Sequence, residues 1–281
     1  MASLYKTLEE KIPVWRDDAE LLLKNSGSSV ISDVTLTQAY GGMRGVKGLV
    51  CDTSSVSPDT GLIIRGNPLL DIIDLLPEQA LFLLLTDEIP DEDALSDLRL
   101  QLSKHAIVPE YIWTILKSMP EDSHPMAMFN TGILAMEKES AFRKNYDKGI
   151  SKEDFWKPML EDGIKLIAKL PALAAGVYRI RFQKGGLIEP DDSLDWGANY
   201  AHMLGIDDPD GNVKKLMRLY LMLHCDHEGG NASAFTSLTI GSTLSDLYYA
   251  VSGGLNALAG PLHGLANQEC LKFVLEIRDT F

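Results

Sequence analysis

Apolar residues recur at helical spacing through most of this chain, and proline and glycine repeatedly interrupt them. Leu4, Leu8 and Ile12 fall on one helix face, and a following leucine run ends at Gly27. Amphipathic segments of the same kind cover residues 68–76, 78–85, 91–105, 109–119 and 152–184. Pro171 lies inside the longest of them, so we expect that helix to be kinked or divided there. The pattern predicts a multi-helix, nearly all-α protein.

One region has the pattern of β-structure. Residues 49–66 place two runs containing β-branched residues on either side of a Pro-Asp-Thr-Gly turn at Pro58 to Gly61. We find no tandem period and no linker of biased composition. The predicted fold is therefore all-α with one small β-hairpin in the N-terminal third.

Composition and charge exclude several classes of function. Apolar residues make up 45% and charged residues 23%, as in ordinary globular proteins. The 40 acidic and 26 basic residues give a formal net charge of −14, which repels polyanions, so we expect no nucleic-acid partner. The most apolar stretch, residues 232–262, contains Asp246, Asn256 and many Ser and Thr residues. This favours tightly crossing buried helices over a membrane span.

Cysteine usage and the N-terminus indicate a compartment. Cys51, Cys225 and Cys270 are few and far apart, as is typical of free thiols in a reducing environment. Residues 1–27 carry many acids and no uninterrupted apolar core, unlike a secretory or organellar leader. We expect an intracellular protein, either in a bacterial cytoplasm or in the mitochondrial matrix if a leader has been removed.

The residues best suited to chemistry begin in the sequence HCDHEGGN. On a helix, His224 and His227 would share a face, with Cys225, Asp226 and Glu228 on the same turn. Such a group invites a metal site. The spacing supports that reading weakly, because structural zinc takes four ligands and catalytic zinc takes three with an open position. We therefore expect no metal.

A second interpretation starts from the two glycines in this segment. Gly229 and Gly230 would end a helix in an unusual backbone conformation. His227 and Asn231 would then be hydrogen-bond donors at the mouth of a pocket for a small carboxylate or keto acid. In a purely structural interpretation, His227 caps one helix and Asn231 is the N-cap of the next. Both interpretations can hold together.

The sequence GPLHG is the other candidate site. Pro261 suits the first turn of a helix, so His263 is predicted to lie near a helix N-terminus. That position disfavours the imidazolium form. A neutral histidine there can donate a hydrogen bond to a carbonyl oxygen and stabilise an enol or enolate.

Several motifs carry a family resemblance from about Tyr40 to the last residue, in the same order and nearly the same spacing. The chain resembles citrate synthase of the mitochondrial and bacterial type. The motifs are YGGMRGVKGLVCDTS, SHPM at residues 123–126, IAKLPALAA, LDWGANYAHMLG, MRLYLML, DHEGGN and LAGPLHGLANQE.

The resemblance implies condensation of acetyl-CoA with oxaloacetate to citrate and CoA, in the tricarboxylic acid cycle. It implies that His227 and Asn231 hold oxaloacetate, that His263 polarises the thioester carbonyl, and that Arg44 contacts CoA phosphates. The enzyme would be an acyltransferase and a homodimer. Acetyl-CoA is a substrate, and no cofactor is expected.

The resemblance also divides the chain. Residues 1–265 would belong to the large helical domain, and residues 266–281 would start the small CoA-binding domain. The family's second catalytic histidine, its aspartate base and its carboxylate-binding arginines have no counterpart here, so we expect the 281-residue chain to be inactive alone. Two alternatives stay open: a non-catalytic dimerising or regulatory remnant of the large domain, and 2-methylcitrate synthase.

Overall fold

The computed structural model describes residues 2–42 and 45–280. Within those residues the backbone is mainly helical, with one small three-stranded sheet, so the predicted all-α class is confirmed. The helices are α1 (Ala2–Ser26), α2 (Leu36–Tyr40), α3 (Leu69–Ile72), α4 (Pro77–Thr86), α5 (Glu92–Lys104), α6 (Glu110–Ser118), α7 (Pro125–Ala135), α8 (Ala141–Tyr146), α9 (Trp156–Arg181), α10 (Trp196–Leu204), α11 (Asn212–Leu223), α12 (Ala232–Gly241), α13 (Leu247–Leu258), α14 (Pro261–Gly264) and α15 (Ala266–Thr280), with 3₁₀ turns at Met136–Glu139 and Lys152–Asp154.

The chain forms two compact units. The first unit comprises Met1–Ile107 and Ile188–Gly230, and the second comprises Val108–Leu187 and Asn231–Phe281. The first unit therefore contains the sheet with α1 to α5, α10 and α11. The second contains α6 to α9 and α12 to α15.

The sheet of the first unit contains the predicted hairpin. Strand β1 (Ser54–Ser57) pairs antiparallel with β2 (Gly61–Ile64), and β3 (Asn67–Pro68) adds a third strand that the sequence did not predict. Gly61, at the end of the turn, has φ +72°, a conformation that glycine adopts without strain. Ile64 of β2 is buried in one apolar cluster with Ile72, Ala80, Leu83 and Met222, the last of which lies on α11. The sheet is thereby fixed to the same core as the end of α11.

An ion pair between the buried Asp195 and the half-buried Arg218 joins α10 to α11. Asp195 is the N-cap of α10, accepting from Ala198 N, and its two carboxylate oxygens accept from Arg218 Nε at 3.1 and 3.0 Å. Burial opposes ionisation of Asp195, but these hydrogen bonds outweigh it and hold its pKa below the usual range. Gly197 permits the close approach, because a Cβ there would lie 3.3 Å from Arg218 Cα. The middle of α11 is therefore firmly positioned against α10.

The second unit is built on α9, which runs unbroken from Trp156 to Arg181. The predicted division at Pro171 is wrong, since Pro171 is buried inside this helix. Tertiary packing offsets the lost hydrogen bond. Gly176 leaves room for Trp113, and Gly132 of α7 for Leu173, so neighbouring helices contact α9 closely.

Helices α12 and α13 cross closely in the second unit, as expected for residues 232–262. The predicted burial is wrong for α12, because none of its residues is buried. A Cβ at Gly254 would lie 2.3 Å from Ser237 Oγ, and one at Gly253 would lie 2.1 Å from Ile240 Cδ1. Small residues thus set the approach of the two helices. Across residues 2–42 and 45–280, the structure holds no helix with the length and apolar character needed to cross a membrane.

Candidate functional site

The first candidate segment, residues 224–230, is a loop of the first unit rather than a helix. Helix α11 ends at Leu223, and His224 is its C-cap. The His224 ring stacks on Tyr220, with ring centroids 4.2 Å apart, and its Nδ1 lies 2.7 Å from Tyr220 O. His224 and His227 therefore do not share a helix face, and that prediction is wrong. His227, which the sequence proposed as a helix cap, is an exposed loop residue instead.

The metal interpretation finds no support in the geometry. Over the described part of the chain, no group of three or more His, Cys, Asp and Glu residues could hold a metal ion. Cys225 is also unsuited to nucleophilic chemistry, since burial and the neighbouring Asp226 raise its pKa to about 11.

Glu228 attaches this loop to the sheet. Its backbone N–H donates to Ser54 Oγ at 2.7 Å, and its Oε1 accepts from Val56 N at 2.7 Å. Glu228 also has φ +56°, which L residues rarely adopt. The sequence had assigned the unusual conformation to Gly229 and Gly230. That prediction is wrong, because neither has a positive φ.

Gly229 makes a close contact instead. A Cβ at this position would lie 3.3 Å from Cys51 Cβ. The loop thus lies directly against the residues that precede β1. Gly230, by contrast, has open space around the position of a Cβ.

Asn231 begins the second unit as the predicted N-cap of α12. Its φ of −78° and ψ of 156° are extended, and its Oδ1 accepts from Ala234 N at 2.9 Å. This satisfies one of the unpaired N–H groups at the helix start. The capping prediction is confirmed for Asn231.

His263 is held at the start of a short helix in the second unit. Pro261 occupies the first turn of α14, after Gly260 as N-cap, and the half-buried His263 ring points its Nε2 to Ser233 Oγ at 2.8 Å. Gly264 allows this arrangement because it lies against the backbone of α13, where a Cβ would be 2.0 Å from Leu258 O. Ser233 is thus a direct partner of the candidate catalytic histidine.

Sequence reasoning missed Ser233. It lies two residues after Asn231 in the first turn of α12 but thirty residues before His263. Within the second unit, the fold therefore brings the α12 start and His263 together. That His227 joins them around one cavity stays a prediction, as do the individual ligand roles. Arg44, the predicted CoA contact, lies outside the described residues.

Comparisons with known proteins identify the family. The family model for the citrate synthase C-terminal domain matches residues 42–280. Citrate synthase 4 of Arabidopsis thaliana, a mitochondrial protein, is 42% identical over 98% of this chain and 60% of its own length. A mitochondrial citrate synthase of Saccharomyces cerevisiae is 41% identical over 99% of the chain and 60% of its own length. A mitochondrial 2-methylcitrate synthase of Yarrowia lipolytica is 41% identical over 98% of the chain and 61% of its own length.

Solved structures agree on the fold. Citrate synthase from Pyrobaculum aerophilum superposes with a TM-score of 0.76 at 27% identity, covering 84% of this chain and 59% of that one. The Thermoplasma acidophilum citrate synthase, solved as a ternary complex, superposes with a TM-score of 0.69 at 23% identity over 80% of this chain and 57% of that one. The chain spans about 60% of the length of the sequence relatives it matches. With a family model over most of its residues and relatives above 40% identity, the chain belongs to the citrate synthase family.

Proposed function

We propose that the protein carrying this chain condenses acetyl-CoA with oxaloacetate, releasing citrate and CoA. The observation that supports this most directly is the contact of His263 Nε2 with Ser233 Oγ, beside the start of α12. Family membership and the motif resemblance supply the reaction type. The enzyme class would be an acyltransferase that needs no cofactor.

His263 would act on the thioester. With Nε2 engaged by Ser233, Nδ1 is the ring nitrogen left to donate a hydrogen bond to the acetyl-CoA carbonyl oxygen. The donated bond stabilises the enolate that forms when a carboxylate base of the family removes a methyl proton. The enolate carbon then attacks the keto carbon of oxaloacetate, and the family's second catalytic histidine would give a proton to the keto oxygen, forming citryl-CoA. Water then cleaves citryl-CoA to citrate and CoA.

His227 and Asn231 would hold oxaloacetate. His227 is exposed and so can reach a ligand, whereas Asn231 Oδ1 already accepts from Ala234 N. Its amide Nδ2 is the group that can donate to a carboxylate or keto oxygen. Arg44 would contact CoA phosphates, since a guanidinium suits that geometry.

The assay uses the protein expressed from its complete coding sequence. We expect thiol release and citrate formation from acetyl-CoA plus oxaloacetate. The H263A variant should lose roughly 10²- to 10⁴-fold in kcat, and H227A should raise the KM for oxaloacetate. His105→Gln, at the C-cap of α5, is the matched histidine control and should change neither value. The absence of thiol release with the wild-type protein would refute the proposal.

The 2-methylcitrate alternative follows from the Yarrowia lipolytica relative at 41% identity. Propionyl-CoA assayed beside acetyl-CoA decides it. A higher kcat/KM for propionyl-CoA would transfer the assignment to 2-methylcitrate synthase. The two substrates differ by one methylene, which a pocket distinguishes by roughly 10- to 200-fold.

The biological setting follows from the relatives. We assign the protein to the tricarboxylic acid cycle and, given the mitochondrial relatives, to the mitochondrial matrix; cell fractionation tests the location. The domain division proposed is residues 1–265 in a large domain and 266–281 at the start of a smaller one. The expected homodimer is tested by analytical ultracentrifugation. A dimer without thiol release would favour the non-catalytic remnant.

A further inference from the structure

We propose that Glu228 and Ser54 are positioning residues, which together fix the direction of the His227 side chain. The inference rests on the proposed function, because it concerns how well the protein binds the keto acid that His227 would hold. It deepens that function by explaining what keeps an exposed loop residue in a ligand-binding orientation. We call the two hydrogen bonds between Glu228 and strand β1 the β1 clasp.

The β1 clasp is reciprocal. The Glu228 carboxylate accepts from the backbone of Val56 at 2.7 Å, and the Glu228 backbone donates to the Ser54 hydroxyl at 2.7 Å. One bond thus fixes the side chain of Glu228 and the other fixes its peptide plane. Because that peptide plane adjoins His227, its orientation limits the directions in which the His227 side chain can leave the backbone.

The strand that provides the clasp is well anchored. Ser54 is buried, and Ser54 and Val56 pair with Ile64 and Leu62 of β2. Ile64 in turn lies in the apolar cluster with Met222, two residues before the loop begins. Strand and loop are therefore fixed to the same core, which makes β1 a rigid reference for the loop.

The residue type at position 228 supports a side-chain role. Its φ of +56° would suit glycine, and glycines follow at positions 229 and 230. A glutamate at the strained position makes sense when its carboxylate contributes more than the backbone loses. The contact with Val56 N is that contribution. On the other side of the residue, Gly229 lies against Cys51 and leaves the loop little room to shift.

The test compares four variants of the complete protein. E228A removes the carboxylate, and S54A removes the hydroxyl acceptor. E228G also removes the carboxylate but relieves the backbone conformation, and E228Q retains an oxygen that can accept from Val56 N. We expect E228A, E228G and S54A to raise the KM for oxaloacetate by about 10-fold. The kcat and the KM for the acyl-CoA should change by less than about threefold, and E228Q should stay near wild type.

Two outcomes would overturn the proposal. If E228G binds oxaloacetate like wild type, the backbone conformation alone matters and the carboxylate does not. If H227A raises the KM for oxaloacetate while E228A and S54A leave it unchanged, the clasp is refuted although the proposed function stands. An H227A variant with unchanged KM would instead refute the assignment of His227.

Hydrogen exchange measures the clasp without activity. Deuterium uptake at the Val56 amide should be faster in E228A and E228G than in wild type, and unchanged in E228Q. Asp147→Ala is the matched control, because it removes an exposed acid that pairs with Arg143 in the second unit. Equal uptake in wild type and E228A would show that Val56 N does not depend on Glu228. Circular dichroism monitors folding. If E228A does not fold, the KM of S54A for oxaloacetate tests the clasp in its place.

Discussion

The two candidate segments are held in place by different kinds of contact. In the first unit, the His227 loop is attached by polar side chains that connect it to a strand. In the second unit, His263 is positioned mainly by close backbone packing, which is possible because glycines let the helix backbones approach each other. One hydrogen bond, to Ser233, orients its ring. The first arrangement should tolerate small changes in packing and depend on hydrogen bonding. The second should be sensitive to small changes in packing and depend less on hydrogen bonding.

Glycine-to-alanine substitutions test this contrast and should give the largest change in the free energy of unfolding. In G264A, the new Cβ would be 2.0 Å from the backbone oxygen of Leu258, so α14 must move. We expect the free energy of unfolding to fall by about 3 kcal/mol. G229A, 3.3 Å from Cys51 Cβ, should lose much less, and G230A, in open space, should lose least. Urea denaturation of the three variants measures the order; equal losses would contradict the contrast.

Arg218→Ala tests the polar support of the first unit. It removes both hydrogen bonds from Arg218 Nε to the Asp195 carboxylate and leaves that carboxylate buried without its charged partner. We expect a loss of about 2 kcal/mol in the free energy of unfolding. Arg218→Lys keeps the charge but lacks the planar guanidinium, so it should lie between wild type and alanine. Thermal denaturation distinguishes them, and an alanine variant as stable as wild type would contradict the role given to the pair.

Ser233→Ala tests the single polar contact at His263. Loss of a hydrogen bond of about 1 kcal/mol should lower kcat by about fivefold, because the imidazole is then less well oriented. Ser233→Thr keeps the hydroxyl and should retain more activity. Steady-state kinetics of the complete protein measure both, and a wild-type kcat in Ser233→Ala would remove this residue from the proposed site.

The pH dependence of stability gives the smallest effect. Glu78 is buried, and burial raises its pKa, although its Oε1 accepts from Trp196 N at 2.7 Å. A raised pKa contributes stability that is present below the unfolded-state value and is lost as pH rises through the folded-state value. Asp195 acts in the opposite direction, because its lowered pKa contributes stability that is lost as pH falls.

Glu78→Gln isolates the first of these contributions. The difference in unfolding free energy between wild type and Glu78→Gln reports the titration of Glu78 together with its repulsion by the neighbouring Asp195 carboxylate, which helps to raise the Glu78 pKa. Wild type should lose stability relative to the variant as pH rises from about 4.5. Urea denaturation at several pH values measures the difference. A difference that does not vary with pH would show that Glu78 titrates normally.

Much of the fold was predictable because its causes are local. Asp91 and His105 flank α5 as caps, so periodicity and capping place that helix within a residue or two. The hairpin follows from its turn residues. The Asn231 cap is equally local, because its hydrogen bond to Ala234 N spans only residues 231–234. The family, too, was identifiable from motifs, and the comparisons confirm it.

Tertiary contacts decided the remainder. Pro171 stays inside α9 because packing around it outweighs the preference of proline to end a helix. Glu228, and not the neighbouring glycines, takes the left-handed conformation because Ser54 and Val56, more than 170 residues away in sequence, hydrogen-bond to it. The hydrogen bond between Ser233 and His263 likewise depends on tertiary structure, because the two residues lie thirty positions apart. By itself, the sequence determined the helical class, several of the helices, the hairpin and the family. The folded structure decided which side chains hold the candidate histidines, because those contacts join residues distant along the chain.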